Sequence, residues 1–149
     1  MAEKYFNRQE AEELLPIIEP GLEKARQKKQ RIDALSAEIS TATSRIMLLG
    51  GSLPSLAELT GKKAEHEKLA GELLETIKEL QQTGCVVKDL DTGLVDFPSL
   101  LGGEEVYLCW KLREERIGFW HGIEEGFAGR KSLDDSESEE QPPPTPQVQ

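Results

Sequence analysis

The amino-acid sequence predicts an α+β fold: a long N-terminal antiparallel helical hairpin followed by a small four-stranded antiparallel β-meander. Apolar residues recur at steps of three and four through residues 22–80, the spacing of an amphipathic helix or a coiled-coil seam. Further along, the apolar period shortens to two, which indicates strands. We therefore divide the 149 residues into a hairpin (1–83), a meander packed on the hairpin base as part of the same structural domain (84–133), and an acidic, proline-rich tail (134–149) expected to be disordered.

The first helix has a start signal, two interruptions and a stop signal. Asn7 followed at the third position by Glu10 is typical of a capping box. Pro16 and Pro20 each remove a backbone hydrogen bond, so we expect a kink or a break there. The Gly-Gly pair at 50–51 predicts the end of the helix, because glycine takes the left-handed conformation that closes helices.

The second helix starts at Ser52, with Pro54 in its first turn, and a connection this short requires the two helices to run antiparallel. A helix of roughly 28 residues reaches about 42 Å at about 1.5 Å per residue. We therefore expect the hairpin to project and to contact a partner, either a second copy of the chain or a partner helix. The expected interface residues are Leu59, His66, Leu73 and Ile77.

Four short segments after the hairpin are predicted to be strands: CVVKDL, GLVDF, EVYLCWKL and RIGFWH. Alternation places Val106, Leu108 and Trp110 on one face of the third strand. In the fourth strand it places His121 and Trp120 on opposite faces. One face of this meander is expected to pack on the base of the hairpin.

The charge distribution argues against several classes of partner. The formal net charge is −10, and no segment is strongly basic. Nucleic acid is disfavoured, because phosphate binding needs a patch of Lys and Arg, and we interpret the cations of residues 24–31 as a solvated helix face. No run reaches transmembrane length and no signal peptide is visible, so we predict a cytoplasmic protein with no membrane contact. Cys85 and Cys109 have no disulfide or metal spacing and are interpreted as core residues.

Four stretches resemble a known family in their order and spacing: YFNRQEAEELLPII, GCVVKDLDTGLVDFPS, EVYLCWKL and FWHGIEEGFAGRKSL. They are similar to the prokaryotic family known as domain of unknown function 2203, over roughly residues 5–133. The resemblance implies a long helical hairpin fused to a small sheet, and it implies no activity. The helical seam and the tail depart from the family pattern, so a function at the hairpin tip or tail would not transfer.

The segment KDLDTGLVDFPS contains Asp89, Asp91 and Asp96. It has superficial likenesses to the nucleophile motif of haloacid-dehalogenase phosphatases and to the Asp-Thr-Gly loop of aspartic proteases. Both enzymes need further elements that the short remainder of the chain does not supply. We interpret the segment as a turn between two strands, in which Gly93 takes a positive φ and Asp91 accepts backbone amides. Pro98 is expected to end the second strand.

A metal or ligand site is the alternative interpretation of this segment and of the FWHGIEEGFAGR stretch. One imidazole and several carboxylates form a suitable set for a divalent cation. The candidate metal ligands are His121, Asp96, Asp91, Asp89 and Glu124. Arg130 is expected either to bind an anion or to form an internal salt bridge with Asp91 or Asp96.

The leading functional hypothesis is a non-enzymatic interaction or assembly module that acts through its hairpin. The alternative is a divalent-metal or small-ligand-binding protein, including a weak hydrolase, that uses the Asp-rich turn and the region of His121 and Glu124. The sequence leaves open whether the protein is an enzyme, and it identifies no cofactor.

Overall fold

The structure is a computed structural model that describes residues 4–133. The predicted tail, residues 134–149, lies outside the described residues. The elements in chain order are α1 (Arg8–Leu49), α2 (Leu53–Gln82), β1 (Val86–Asp89), β2 (Leu94–Leu101), β3 (Glu104–Lys111), β4 (Phe119–Gly122), one turn of 3-10 helix (Phe127–Gly129) and β5 (Lys131–Ser132). The predicted fold class is confirmed, with one difference: a fifth, two-residue strand pairs with β4.

Helix α1 begins and ends where the local signals predict. The backbone amide of Glu10 donates to Asn7 Oδ1 at 2.7 Å, and the amide of Asn7 donates to Glu10 Oε1 at 3.0 Å, which completes the capping box. Gly50 closes the helix with a φ of 80°. We expected a kink or a break at Pro16 and Pro20, and the break is wrong, because α1 is one helix through both. Both prolines are exposed, so the carbonyl groups that lose an amide partner lie on the solvent side of the helix.

Once α1 leaves the sheet, the two helices contact each other through half-buried apolar residues and through polar side chains. Between Ser36 and Glu79 no described side chain is buried. Four side-chain pairs cross between the helices: Lys28–Glu72 at 3.1 Å, Arg31–Glu65 at 3.2 Å, Lys62–Glu38 at 2.9 Å and Ser36–His66 at 3.0 Å. Exposed ion pairs each contribute little to stability, so this part of the hairpin has weak internal support. In the described part of the chain, neither long helix is apolar enough over a sufficient length to cross a membrane.

The sheet is an antiparallel meander in the order β1-β2-β3-β4-β5, and one of its faces packs on the first turns of α1. Side chains of α1 and of the segment before it meet alternate residues of β2 and β3 in a single core. Its largest fully buried members are Phe6, Ile18, Leu22, Phe97, Leu108 and Trp110. Helix α2 adds only Leu80 to this core, so the base of the hairpin is anchored chiefly by α1.

We expected Pro98 to end β2, and this is wrong, because the strand continues to Leu101. The Pro98 carbonyl accepts a hydrogen bond from the Phe6 amide at 2.7 Å. In a regular strand the N–H and the C=O of one residue face the same neighbouring strand. The N–H that proline lacks would therefore also face the edge occupied by Phe6. Pairing with β1 stops where Val86 faces Asp96, so proline at 98 costs the sheet no ladder bond.

Candidate functional site

The Asp-rich segment forms a turn between β1 and β2. The carboxylate of Asp89 accepts the Asp91 amide at 3.1 Å and the Thr92 hydroxyl at 3.0 Å. Gly93 has a φ of 73°, as predicted, and a Cβ at this position would lie 2.6 Å from Leu112 Cβ. The predicted role of Asp91 is wrong, because Asp89 is the residue that accepts across the bend.

Asp91 instead joins the turn to helix α1. Its carboxylate lies 3.3 Å from Lys29 Nζ, and its carbonyl accepts from the Arg26 guanidinium at 3.1 Å. The hydrogen bonds from Lys29 to Asp33 and Asp91 raise the pKa of the Lys29 ammonium. Both Asp89 and Asp91 are therefore exposed turn residues with structural partners.

Three chemically active side chains meet on the other face of the sheet. Asp96 of β2 lies opposite Cys109 of β3, and His121 of β4 lies opposite Tyr107, two residues away along β3 and on the same face. One ligand atom from each of Asp96, Cys109 and His121 lies within 4.8 Å of the other two. Each residue is at most 1% exposed. Among the described residues, this buried cluster is the only group of three such side chains that close together.

The two ring nitrogens of His121 have different hydrogen-bond partners. Its Nδ1 lies 2.8 Å from the Gly122 carbonyl, which can only accept, so Nδ1 carries a hydrogen. Its Nε2 lies 3.1 Å from Asp96 Oδ2. Burial raises the pKa of the Asp96 carboxyl, while the charge of His121 and its hydrogen bond act in the opposite direction. The two contacts fix the orientation of the imidazole ring between Asp96 of β2 and the backbone of β4.

Cys109 is the member of this cluster that sequence reasoning missed. Burial, together with the neighbouring Asp96, raises the pKa of the Cys109 thiol to about 12. A thiol that stays protonated at neutral pH is a poor nucleophile, so covalent catalysis at Cys109 is disfavoured. Strand alternation was a partial signal, because it separates Cys109 from Leu108 and Trp110; only the strand register places Cys109 beside Asp96 and His121.

The remaining predicted site residues lie apart from this cluster. Arg130 does not contact Asp91 or Asp96: its guanidinium donates to both oxygens of Glu114 at 3.1 Å and stacks 3.8 Å from the Phe119 ring centroid. Glu124 is exposed and is not part of the cluster.

Glu125, the next residue, organises the β4–β5 connection in place of Glu124. It accepts the Gly122 amide at 2.8 Å and the Lys131 ammonium at 2.6 Å. The hydrogen bond from Lys131 lowers the pKa of the Glu125 carboxyl. The acidic residues of this stretch therefore include one that holds the loop in place.

The predicted interface residues Leu59, His66, Leu73 and Ile77 are half-buried. The His66 ring contacts Ser36 of α1 at 3.0 Å. Steps of seven and four keep the other three on the same helical face, which therefore points toward α1. The exposed apolar residues of the hairpin lie elsewhere. Met47, Leu48 and Leu49 are 79%, 82% and 79% exposed at the end of α1.

No curated protein and no solved structure matches this sequence. A family profile described as "uncharacterized conserved protein" matches residues 4–133, which is every residue that the structure describes. The match agrees with the resemblance carried by the strand segments and by the FWHGIEEGFAGR stretch. The chain belongs to the family known as domain of unknown function 2203.

Proposed function

We propose that this protein is a small cytoplasmic, non-enzymatic interaction module that acts through its helical hairpin, with a second copy of the chain as partner. The proposed contact is the hairpin tip, which we define as residues 46–57. The observation that carries the proposal is the exposure of Met47, Leu48 and Leu49 at the end of α1. Exposed apolar clusters of this kind are typical of protein contact surfaces.

The tip differs from the rest of the surface in charge. Residues 46–57 contain no charged side chain, although 31% of the whole chain is charged. Leu56 of α2 is also 45% exposed, so both helices contribute apolar surface at this end. An uncharged apolar end on a charged rod favours association at that end.

The weak support inside the hairpin also favours a partner. The segment between Ser36 and Glu79 has no fully buried described side chain and is held by half-buried apolar residues and polar pairs. An isolated helix pair with so little apolar burial is marginally stable in water. Contact at the tip would order this segment from its far end, while the sheet orders it from the near end.

A second copy is the partner that best fits the charge. Each chain carries a formal net charge of −10, so side-by-side packing of two chains brings like charges together. An end-to-end contact joins the two uncharged tips and keeps the sheets far apart. Such a self-complementary contact closes as a two-fold dimer. The proposed contact therefore lies at the tip, whereas the sequence predicted an interface at Leu59, His66, Leu73 and Ile77.

The test is the oligomeric state of two matched variants, measured by light scattering after size exclusion over a range of concentrations. The tip variant carries Leu48→Glu and Leu49→Glu. The control is Leu74→Glu, which charges a leucine that is 70% exposed on α2 but lies away from the tip. We expect dimers for the wild type and the control and a monomer for the tip variant. A wild type that is monomeric throughout, or a tip variant that still dimerises, contradicts the proposal.

The alternative, a metal- or ligand-binding protein with hydrolase activity, has weaker support in the form first considered. Asp89 is bound within the turn, Asp91 is paired with Lys29 of α1, and Glu124 is exposed. Asp96 and His121 do meet, but they are buried, so a substrate has no access to them. A buried site of this kind favours a structural role over hydrolysis.

A further inference from the structure

We propose that Asp96, Cys109 and His121 form a structural binding site for a zinc-class divalent cation, buried within the sheet. The site is independent of the hairpin tip and differs from the set considered from the sequence, because it includes Cys109 and excludes the turn aspartates. Three neighbouring strands each supply one ligand. A bound ion would therefore link β2, β3 and β4 across the face that lies away from α1.

The spacing of the ligand atoms suits a small cation. One atom from each of the three residues lies within 4.8 Å of the others, and His121 Nε2 lies 3.1 Å from Asp96 Oδ2. Two ligand atoms at about 2.0 Å from a tetrahedral zinc ion lie about 3.3 Å apart. The ion therefore fits between the imidazole and the carboxylate with only a small adjustment of the side chains.

The histidine is already oriented as a metal ligand. Metal-binding histidines almost always donate their second ring N–H to a carbonyl or carboxylate, which leaves the other nitrogen free to bind. His121 donates from Nδ1 to the Gly122 carbonyl at 2.8 Å, and its Nε2 points into the cluster. The strand backbone thus sets the ring orientation that a metal site needs.

Asp96 provides the second, independent observation. No donor meets hydrogen-bond geometry at its buried Oδ1, although the Cys109 thiol interacts with this carboxylate and buried carboxylate oxygens are normally paired. An ion bound to both oxygens would satisfy this atom. The three residues would then supply one sulfur, one nitrogen and the carboxylate, whose second oxygen is a weaker fourth donor because the two oxygens of one carboxylate lie closer together than two corners of a tetrahedron.

The donor chemistry selects the class of ion. A thiolate and an imidazole favour zinc and similar borderline ions over magnesium or calcium, which prefer oxygen ligands only. The carboxylate and thiolate charges cancel the charge of a divalent ion, so the buried centre is neutral. Lys88 acts electrostatically on Asp96, and a neutral metal centre would not repel its positive charge. Because the site is closed, the ion is expected to enter as the sheet folds.

The first experiment refolds the full-length protein in the presence of cobalt(II) and records its absorption spectrum. We expect one cobalt per chain and a thiolate-to-cobalt charge-transfer band in the near ultraviolet. The band should be lost in Cys109→Ser and kept in Cys85→Ser, which removes the other buried thiol. No band in the wild type, or a band lost in Cys85→Ser and kept in Cys109→Ser, overturns the proposal.

A second experiment needs no substitution and covers the case in which Cys109→Ser fails to fold. Zinc X-ray absorption on wild-type protein refolded with zinc, after removal of excess metal, reports the atoms around the ion. One sulfur with nitrogen and oxygen neighbours is the expected result. Retention of no zinc, or a shell that contains no sulfur, contradicts the site.

The role of His121 is tested with a matched pair of histidine variants. His121→Gln is expected to lose zinc, and His66→Gln is expected to retain it. The reverse pattern also contradicts the site.

Discussion

The sheet end and the tip end of this molecule are stabilised in different ways. At the sheet end, α1 and five strands enclose a core in which Ile18, Phe97 and Trp110 are fully buried. At the tip end, which comprises residues 36–79, the same helix runs beside α2 with no buried described side chain. One helix therefore belongs to two environments. The comparison teaches that secondary structure can be continuous while stability is not.

The largest expected difference between the two ends comes from matched leucine truncations. Leu108→Ala removes a fully buried side chain from the sheet and is expected to cost about 2–5 kcal/mol of the free energy of unfolding. Leu73→Ala removes a half-buried leucine from the hairpin and is expected to cost about 1 kcal/mol or less. Urea unfolding measures both costs, with tryptophan fluorescence as the signal for the sheet and helical circular dichroism as the signal for the hairpin. Equal costs would show that the hairpin has a core of its own.

A smaller effect tests the turn that joins the sheet to the hairpin. Gly93→Ala forces a residue with a side chain into a positive φ and places its Cβ 2.6 Å from Leu112 Cβ. We expect a loss of about 1–3 kcal/mol. Gly102→Ala is the matched control, since its φ is also positive but a Cβ there has open space. Thermal unfolding should show the greater loss for Gly93→Ala; equal losses would mean that the contact with Leu112 has no effect.

The smallest expected effect is the response of the tip end to acid. Hydrogen bonds from Lys62 and Lys28 lower the pKa of Glu38 and Glu72 respectively. Their stabilising contribution is present above the pKa of an unfolded glutamate, about 4.3, and is lost as pH falls through the lower folded values. Helical circular dichroism should therefore weaken in this range.

Tryptophan emission provides the internal control for that titration. Trp110 and Trp120 both lie in the sheet, so their emission reports the sheet end alone. We expect helical signal to be lost before the emission changes. If both signals change together at every pH, the two ends unfold as one unit and the proposed difference is absent.

The parts of the fold that could be predicted from the sequence are those with local signals. Asn7, Gly50 and Ser52 mark helix ends through hydrogen bonds or dihedral angles that involve only adjacent turns. At Pro16 and Pro20, where a kink or a break was expected, the helix does not break, because one face of α1 packs on the sheet. That contact keeps the helix continuous while both prolines face solvent.

The candidate site was only partly predictable, because its geometry depends on pairing between distant strands. His121 and Asp96 were expected to approach each other through strand pairing, and they do. Cys109 was assigned to the core, since its place opposite Asp96 follows from the register of β2 and β3, which no local motif defines. Glu124 and Glu125 are adjacent and chemically alike, so sequence alone could not identify Glu125 as the residue that holds the loop.

The central claim is that the tip end is incomplete in a single chain and is completed by a second copy. Hydrogen exchange measured by mass spectrometry at increasing protein concentration tests it most directly. The account predicts that amides in residues 36–79 become more protected as concentration rises, while amides of β2 and β3 keep the same protection throughout. Protection of residues 36–79 that is independent of concentration, and already as high as that of the sheet, would contradict it.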